Sequence, residues 1–304
     1  MVMSKIPALD HFVHLVSNLD EAIALYSALG FLVIRGGTHA DQITTNALIV
    51  FPDGVYLELI AFVKPEDAVA VTREELQEFI QRRNAHWWYG RQQGWIDLAL
   101  LGGASYGRCD ALTSSQESNI GYQPPIDGSR KTLDGKKLAW RVTFPEAKYP
   151  RGSVPFFCED KTPREWRVPE MVSPHPNGTG GVTAVTLLVR PERFHSTVDV
   201  WRLILNSAPH PNIPDEKSGF RQQRTVVDGD EAVQLLVATP RGDKIKLLIK
   251  RAEDPQENRW IEQHGEGVFE VEVSGESAPR DELASRPPGK RADSTVLALS
   301  LSGA

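Results

Sequence analysis

One order of elements, strand, helix and then three strands, comes round three times in this chain, with decay, and it limits the open folds more than any other feature. In the first round "ALDHFVHLVS" alternates Leu9, Val13 and Leu15 against a mixed face, as a strand does. "NLDEAIALYSALG" reads as a helix: Ser17 or Asn18 caps it, Asp20 and Glu21 suit its first turn, and Gly30 stops it. Strands follow over 31–38, 44–51 and 55–62, the last two joined by the hairpin turn "PDG". The second round opens at "WIDLALLG", has a poorer helix over 104–118, and continues through "GYQPPIDGSRKTL", "KKLAWRVTF" and "VPFFCE". The third opens at "VTAVTLLVR", with the helix "PERFHSTVDVWRLIL" and the hairpin "LLVATPRGDKIKLLI". "GVFEVEV" and "STVLALSLS" read as the remnant of a fourth.

A βαβββ unit covers one face of a curved sheet with its helix and leaves the other face needing a partner. The expected class is therefore α+β, with units paired into half-barrels whose concave faces can hold a small ligand. Units one and two make one bowl over residues 1–160, and 161–181 reads as a linker. Residues 182–304 make a second, degenerate half, with a Pro-, Gly- and charge-rich mobile loop near 274–294.

The hydrophobic share of 40% suffices for real cores, and a net charge of −6 without a basic cluster argues against nucleic acid as a partner. Two cysteines, Cys109 and Cys158, make no disulfide framework and read as packing residues of a reducing, cytoplasmic compartment. No apolar run of signal-peptide type opens the chain, and no stretch approaches the ~20 apolar residues of a membrane span. The expected partner is a small molecule, with a homodimer among the assemblies open to the chain.

Glu58 carries the chemistry. In "VYLELIAF" it is the one charged residue of an apolar strand, on the face of Tyr56, Ile60 and Phe62. Such a carboxylate needs a cation, several hydrogen bonds or a proton. A metal ion, a buried arginine such as Arg141, or protonation would each answer. His11 shares a strand face with Val13 and Leu15. Facing one cavity, an imidazole and a carboxylate suit Zn²⁺, Fe²⁺, Mn²⁺ or Ni²⁺. His39, on the loop before the third strand, is the candidate third ligand or acid–base group. Asn46, Trp87 and Trp88 of "HWWYGRQQGW", and Arg141 are candidates for lining the ligand.

"LDHFVHLVSNLDEAIALYSALGF" followed by "YLELIAF" resembles the vicinal oxygen chelate superfamily, the glyoxalase, bleomycin-resistance and extradiol-dioxygenase fold. "GGTHADQITTNALIVFPDGVYLELIAF", "GWIDLAL" and "HPNG" are similar to its glyoxalase-like domain branch. The resemblance covers 9–181 and implies a divalent metal held by His11 and Glu58. It also implies an enzyme of lyase, isomerase or dioxygenase type, polarising two vicinal oxygens of a small substrate. A metal-free module that sequesters a small molecule is the alternative, and a protein-interaction role is open to the degraded half. The second unit departs from the pattern, with Ile96 expected at the His11 place and Asp97 beside it. In the third, Ala184 and Lys246 are expected at the places of His11 and Glu58.

Overall fold

The computed structural model describes residues 7–70, 72–103, 109, 112, 120–132, 135–206, 223–227, 230–275 and 296–298. The first round is β1 (Leu9–Leu15), α1 (Leu19–Ala28), β2 (Ile34–Thr38), β3 (Thr44–Val50) and β4 (Tyr56–Phe62). Asn18 is the cap of α1, its side chain accepting from the backbone N–H of Asp20 and Glu21. Gly30, at φ +81°, ends the helix in a conformation that a side chain disfavours. A helix absent from the sequence reading, α2 (Arg73–Asn84), follows; Thr72 and Glu75 close a capping box at its start.

The second round contributes β5 (Gly94–Leu101), β6 (Ile126–Lys131), β7 (Lys137–Thr143) and β8 (Phe156–Asp160). Of its expected helix over 104–118, only Cys109 and Leu112 are described, both helical and buried, and the rest lies outside the described residues. These strands form one eight-stranded sheet in the order β2-β3-β4-β1-β5-β8-β7-β6. Its two edges meet: Ala40 N–H donates to Ser129 O at 2.8 Å, and Arg130 reaches the carbonyl of Gly36 at 2.7 Å. The sheet is thereby curled almost into a barrel.

After a single-turn helix α3 (Arg164–Arg167), the third round builds β9 (Val182–Val189), α4 (Phe194–Asn206), β10 (Gln223–Val227), β11 (Asp230–Ala238) and β12 (Lys244–Arg251). Then come α5 (Pro255–His264), β13 (Gly267–Ser274) and β14 (Val296–Ala298), the last two being the expected remnant. The second sheet runs β10-β11-β12-β9-β13-β14. Most of the loop near 274–294 lies outside the described residues. Among the described residues no helix is long and apolar enough to cross a membrane.

Alternation along each strand separates two interiors. Leu57 and Leu59 of β4 join α1, α4 and the second sheet in one continuous apolar core containing Tyr26, Phe157 and Trp201. Asp53 of the "PDG" turn helps tie the halves, its carboxylate accepting from Val55 N–H at 2.9 Å and Val182 N–H at 2.7 Å. The opposite face of the first sheet forms the bowl, lined by Val13, Ile60, Trp88, Phe144, Phe156 and Cys158.

His14 points into the large core. Neither ring nitrogen has a hydrogen-bond partner, and its ring meets Trp95 edge-on at 5.0 Å. Burial lowers its pKa from 6.5 to about 4. The folded state thus prefers the neutral ring. Its contribution to stability is complete above pH 6.5 and is lost as pH falls towards 4. His14→Phe should flatten the fall in melting temperature across that window, read by thermal denaturation at several pH values. An equally steep fall in both proteins would contradict this.

Candidate functional site

The site begins with an irregularity. The pairing of β1 with β5 shifts register between Leu9 and His11, so Asp10 sits in a bulge. This brings the two side chains together: the Asp10 carboxylate is 2.9 Å from His11 Nδ1. Asp10 is fully buried. Burial alone would raise its pKa, but the charges of Arg164 and Arg167 prevail and hold it well below the usual carboxylate range. Arg164 Nη1 approaches it to 2.5 Å and Arg167 Nη1 to 3.1 Å. Arg167 also pairs with Asp160 and donates to the Tyr56 hydroxyl.

An ionised Asp10 only accepts, so Nδ1 is the ring nitrogen that donates to it. Nε2 is left facing Glu58 Oε2 at 3.7 Å. The ring is fixed from both sides, stacked on Tyr56 at 4.6 Å and met edge-on by Phe156 at 5.4 Å. The other Glu58 oxygen accepts from Asn46 Nδ2 at 2.6 Å. The result is a buried Asp10–His11–Glu58 array on the bowl wall.

Of the residues anticipated from sequence, His11, Glu58 and Asn46 are thus brought together. His39 stands at the seam opposite Arg130, its Nδ1 2.6 Å from Thr44 Oγ1 and its ring edge-on to Trp140. Burial lowers the His39 pKa, while the Glu58 charge acts in the other direction. Trp87 and Trp88 form part of an aromatic wall with Phe144 and Phe156. Both indole N–H groups donate to Asp97 Oδ2, at 3.0 and 2.9 Å. Arg141 is not brought to the group. Trp140 and Val142 face the bowl, so the residue between them faces away, where it binds Asp127 at 2.8 Å. Four site residues were not anticipated: Asp10, Arg130, Arg164 and Arg167. The last two lie in the segment read as linker, and no local pattern marks them.

Strand register shows what became of the other units. His11 pairs with Ala99 and Val13 with Asp97, so exchanging β1 and β5 carries His11 onto Asp97 and Val13 onto Ala99. Val13 lies beside Glu58, and Ala99 beside Phe156. The second unit therefore has Asp97, not Ile96, at the histidine place and Phe156 at the glutamate place. In the third, Ala184 lies beside Lys246 as Val13 lies beside Glu58, so Val182 rather than Ala184 stands where His11 does.

The fit to a divalent metal follows. His11 Nε2 and Glu58 Oε2 are close enough to share one ion, since two ligands at ~2.0–2.2 Å from it lie within ~4.4 Å of each other. Asp10 would be the outer carboxylate that orients a ligating histidine. Catalytic zinc and non-haem iron sites nevertheless take three protein ligands, and no group of three His, Cys, Asp or Glu suited to a metal occurs among the described residues. Asp97 is engaged by two indoles, and Phe156 offers no donor. The described donor set does not fit a resident catalytic ion of that type.

The sequence model of the glyoxalase-like domain family matches residues 9–201. No curated protein matches the chain. Among solved structures, a hypothetical protein from Staphylococcus aureus is 16% identical with a TM-score of 0.53, over 82% of this chain and 87% of that one. Methylmalonyl-CoA epimerase from Mycobacterium tuberculosis is 20% identical (TM-score 0.33), covering 54% of this chain and 94% of its own. A triply substituted 4-hydroxymandelate synthase from Streptomyces coelicolor is 12% identical (TM-score 0.44), covering 87% and 70%. The first likeness speaks for the fold.

Burial raises the Asp97 pKa from 3.8 to about 6, against the pull of both indole N–H groups. The folded state holds this proton more tightly than the unfolded chain does. Its stabilising effect is present below pH 3.8 and is lost as pH rises through about 6. Asp97→Asn keeps an acceptor without the charge. It should be more stable than the parent above that window, by on the order of 2–3 kcal/mol, with the difference vanishing in acid. Urea denaturation at either end of the window checks this; a variant less stable at neutral pH would contradict it.

Proposed function

The chain belongs to the glyoxalase-like domain family, and from that premise we propose that it is an enzyme moving a proton on a small substrate with adjacent oxygens, held in the bowl of the first sheet. The observation that carries this reading is the Asp10–His11–Glu58 array, buried beside an aromatic wall. Glu58 is the base that takes a proton from the carbon beside a carbonyl. Its carboxylate is oriented by Asn46 and faces a ring nitrogen that can share the proton. Asp10 fixes the His11 tautomer and supports the ring if it becomes charged. Trp88, Phe144 and Phe156 shield the reacting centre from water.

The expectation of a zinc, iron, manganese or nickel ion meets only two protein donors among the described residues, so no step is assigned to a metal. The aromatic wall favours a second reading, a metal-free module that binds a small hydrophobic molecule without turning it over.

Glu58→Gln separates the readings. Glu58 is in hydrogen-bond contact with an amide rather than a cation, and glutamine retains an acceptor for Asn46. The melting temperature should therefore change little. Deuterium exchange from solvent into a panel of small α-hydroxy and α-oxo carbonyl compounds, followed by NMR, should fall by ~10²-fold or more. Exchange that persists in the variant would remove Glu58 as base. Ligand-induced quenching of tryptophan fluorescence without exchange in either protein would favour the binding module. Stoichiometric metal in protein purified without chelator or affinity tag, absent from the variant, would restore the metal-dependent reading.

A further inference from the structure

Arg130 is a buried guanidinium, 5% exposed, with no acid in ion-pair contact among the described residues. Its described partner is a backbone carbonyl: Nη1 donates to Gly36 O at 2.7 Å. Strand register decides where it points. Gly128 pairs with Trp140 and Ile126 with Val142 across β6 and β7, and Trp140 and Val142 belong to the bowl cluster. Arg130, two residues beyond Gly128, shares that face.

A chain of contacts leads from it to Glu58. The Gly36 backbone lies so close to Asn46 that a Cβ on Gly36 would come within 2.0 Å of Asn46 Oδ1. Asn46 in turn holds Glu58. The electrostatics agree: burial opposes the charge of Arg130, while Glu58 and Tyr56 support it. The other bowl arginines differ, since Arg164 and Arg167 are matched by Asp10 and Asp160. A buried cation without such a match is costly to a fold and is a natural receptor for a ligand's charge.

We propose that Arg130 receives a carboxylate of the substrate, which makes the substrate a small organic acid. This rests on the bowl being the site proposed above. With Nη1 engaged by Gly36, the remaining N–H groups of the fork suit a planar carboxylate. The nearby Glu58 charge disfavours a dianion such as phosphate, so one monoanionic group is the best match. The carboxylate anchors one end of the molecule near the seam, and the reacting carbon then lies towards Glu58 and His11.

The test uses acetate and pyruvate as probes, with acetamide and inorganic phosphate as controls, read by melting temperature and by tryptophan fluorescence. Acetate and pyruvate should stabilise the parent protein and change its fluorescence, whereas acetamide and phosphate should not. Arg130→Gln should weaken pyruvate binding at least about tenfold and leave the ligand-free protein no less stable, because an unmatched buried charge has been removed. Arg130→Lys keeps the charge and loses the fork, so it should weaken pyruvate less than glutamine does. It decides the matter if the glutamine variant does not fold, by showing weaker pyruvate binding than the parent. Glu58→Gln should still bind pyruvate, so a failure of the base leaves this proposal standing, and the reverse also holds. Unchanged pyruvate binding in the Arg130 variants, no carboxylate binding in the parent, or preference for phosphate would each overturn the proposal. A loss of ligand-free stability with carboxylate binding intact would show Arg130 to be a clasp for Gly36 and no more.

Discussion

The bowl is organised by how one buried charge, that of Asp10, is neutralised. A carboxylate with no exposure at the start of a central strand is untenable alone, and two arginines from 164–167 are brought across the sheet to meet it. Each consequence is local and physical. Arg167 bridges Asp10 to Asp160 and to the Tyr56 hydroxyl, tying β1, β8 and β4 together. Asp10, kept ionised, sets the tautomer of His11, and Tyr56 supplies the surface on which that ring stacks. Removing one partner of such a network typically costs ~3–5 kcal/mol, because the other charge stays buried. The segment after α3 is bound closely to the first round: His175 accepts from Leu32 N–H and its Nε2 lies 3.1 Å from Val50 O of β3, and Asn177 donates to Leu29 O.

Much of this was legible in the sequence wherever local chemistry decides the structure. Alternation in β1 and β4, the cap at Asn18 and the turn at Asp53-Gly54 depend on neighbours within a few residues, and they place His11 and Glu58 on one face of one sheet. The capping box of Thr72 and Glu75 is equally local, but α2 has no apolar stripe to announce it: it is so polar that Phe79 is its only buried residue. The arginines were hidden for a different reason. Arg167 lies 157 residues from the acid it serves, and nothing in "REWR" tells which arginine turns inward. Arg130 and Arg141 look alike in the sequence. Only the closing of the sheet, which fixes the inward face of β6 and β7, separates them. The alternation of β7 puts Trp140 and Val142 on one face, as its sequence does. That same alternation excludes Arg141 from a bowl that Trp140 lines.

The decay of the repeat is chemical before it is structural. The second unit keeps its strands but puts Phe156 where the first has Glu58, and this phenylalanine now packs edge-on against His11. A donor has been exchanged for a wall. Asp97, at the histidine place, is turned to holding two tryptophans against Phe144 and Phe156, so it shapes the aromatic side of the bowl instead of completing a ligand set. In the third unit Lys246 is exposed, and α5 packs over part of the sheet through Trp260 and Ile261. One of the three units therefore retains the histidine and glutamate together, and its partner retains the shape.

This division of labour bears on how the protein responds to acid. His14 and Asp97 lie on opposite faces of the same pair of strands, and burial moves them in opposite directions: the imidazole down to about 4, the carboxyl up to about 6. As pH falls through the range they share, the first withdraws stability while the second adds it. Both arise mainly from desolvation and are similar in size, so within this pair of strands they oppose one another. Burial likewise lowers the pKa of His86 to about 4, along with those of His39 and His175, and raises those of Asp53 and Glu266. Asp10, held far below that range by its arginines, contributes no change there. The offset between His14 and Asp97 therefore concerns this pair of strands and leaves the acid response of the whole fold to the sum of all its buried groups. A change of activity in that range belongs to the bowl only where the melting temperature of the same sample holds.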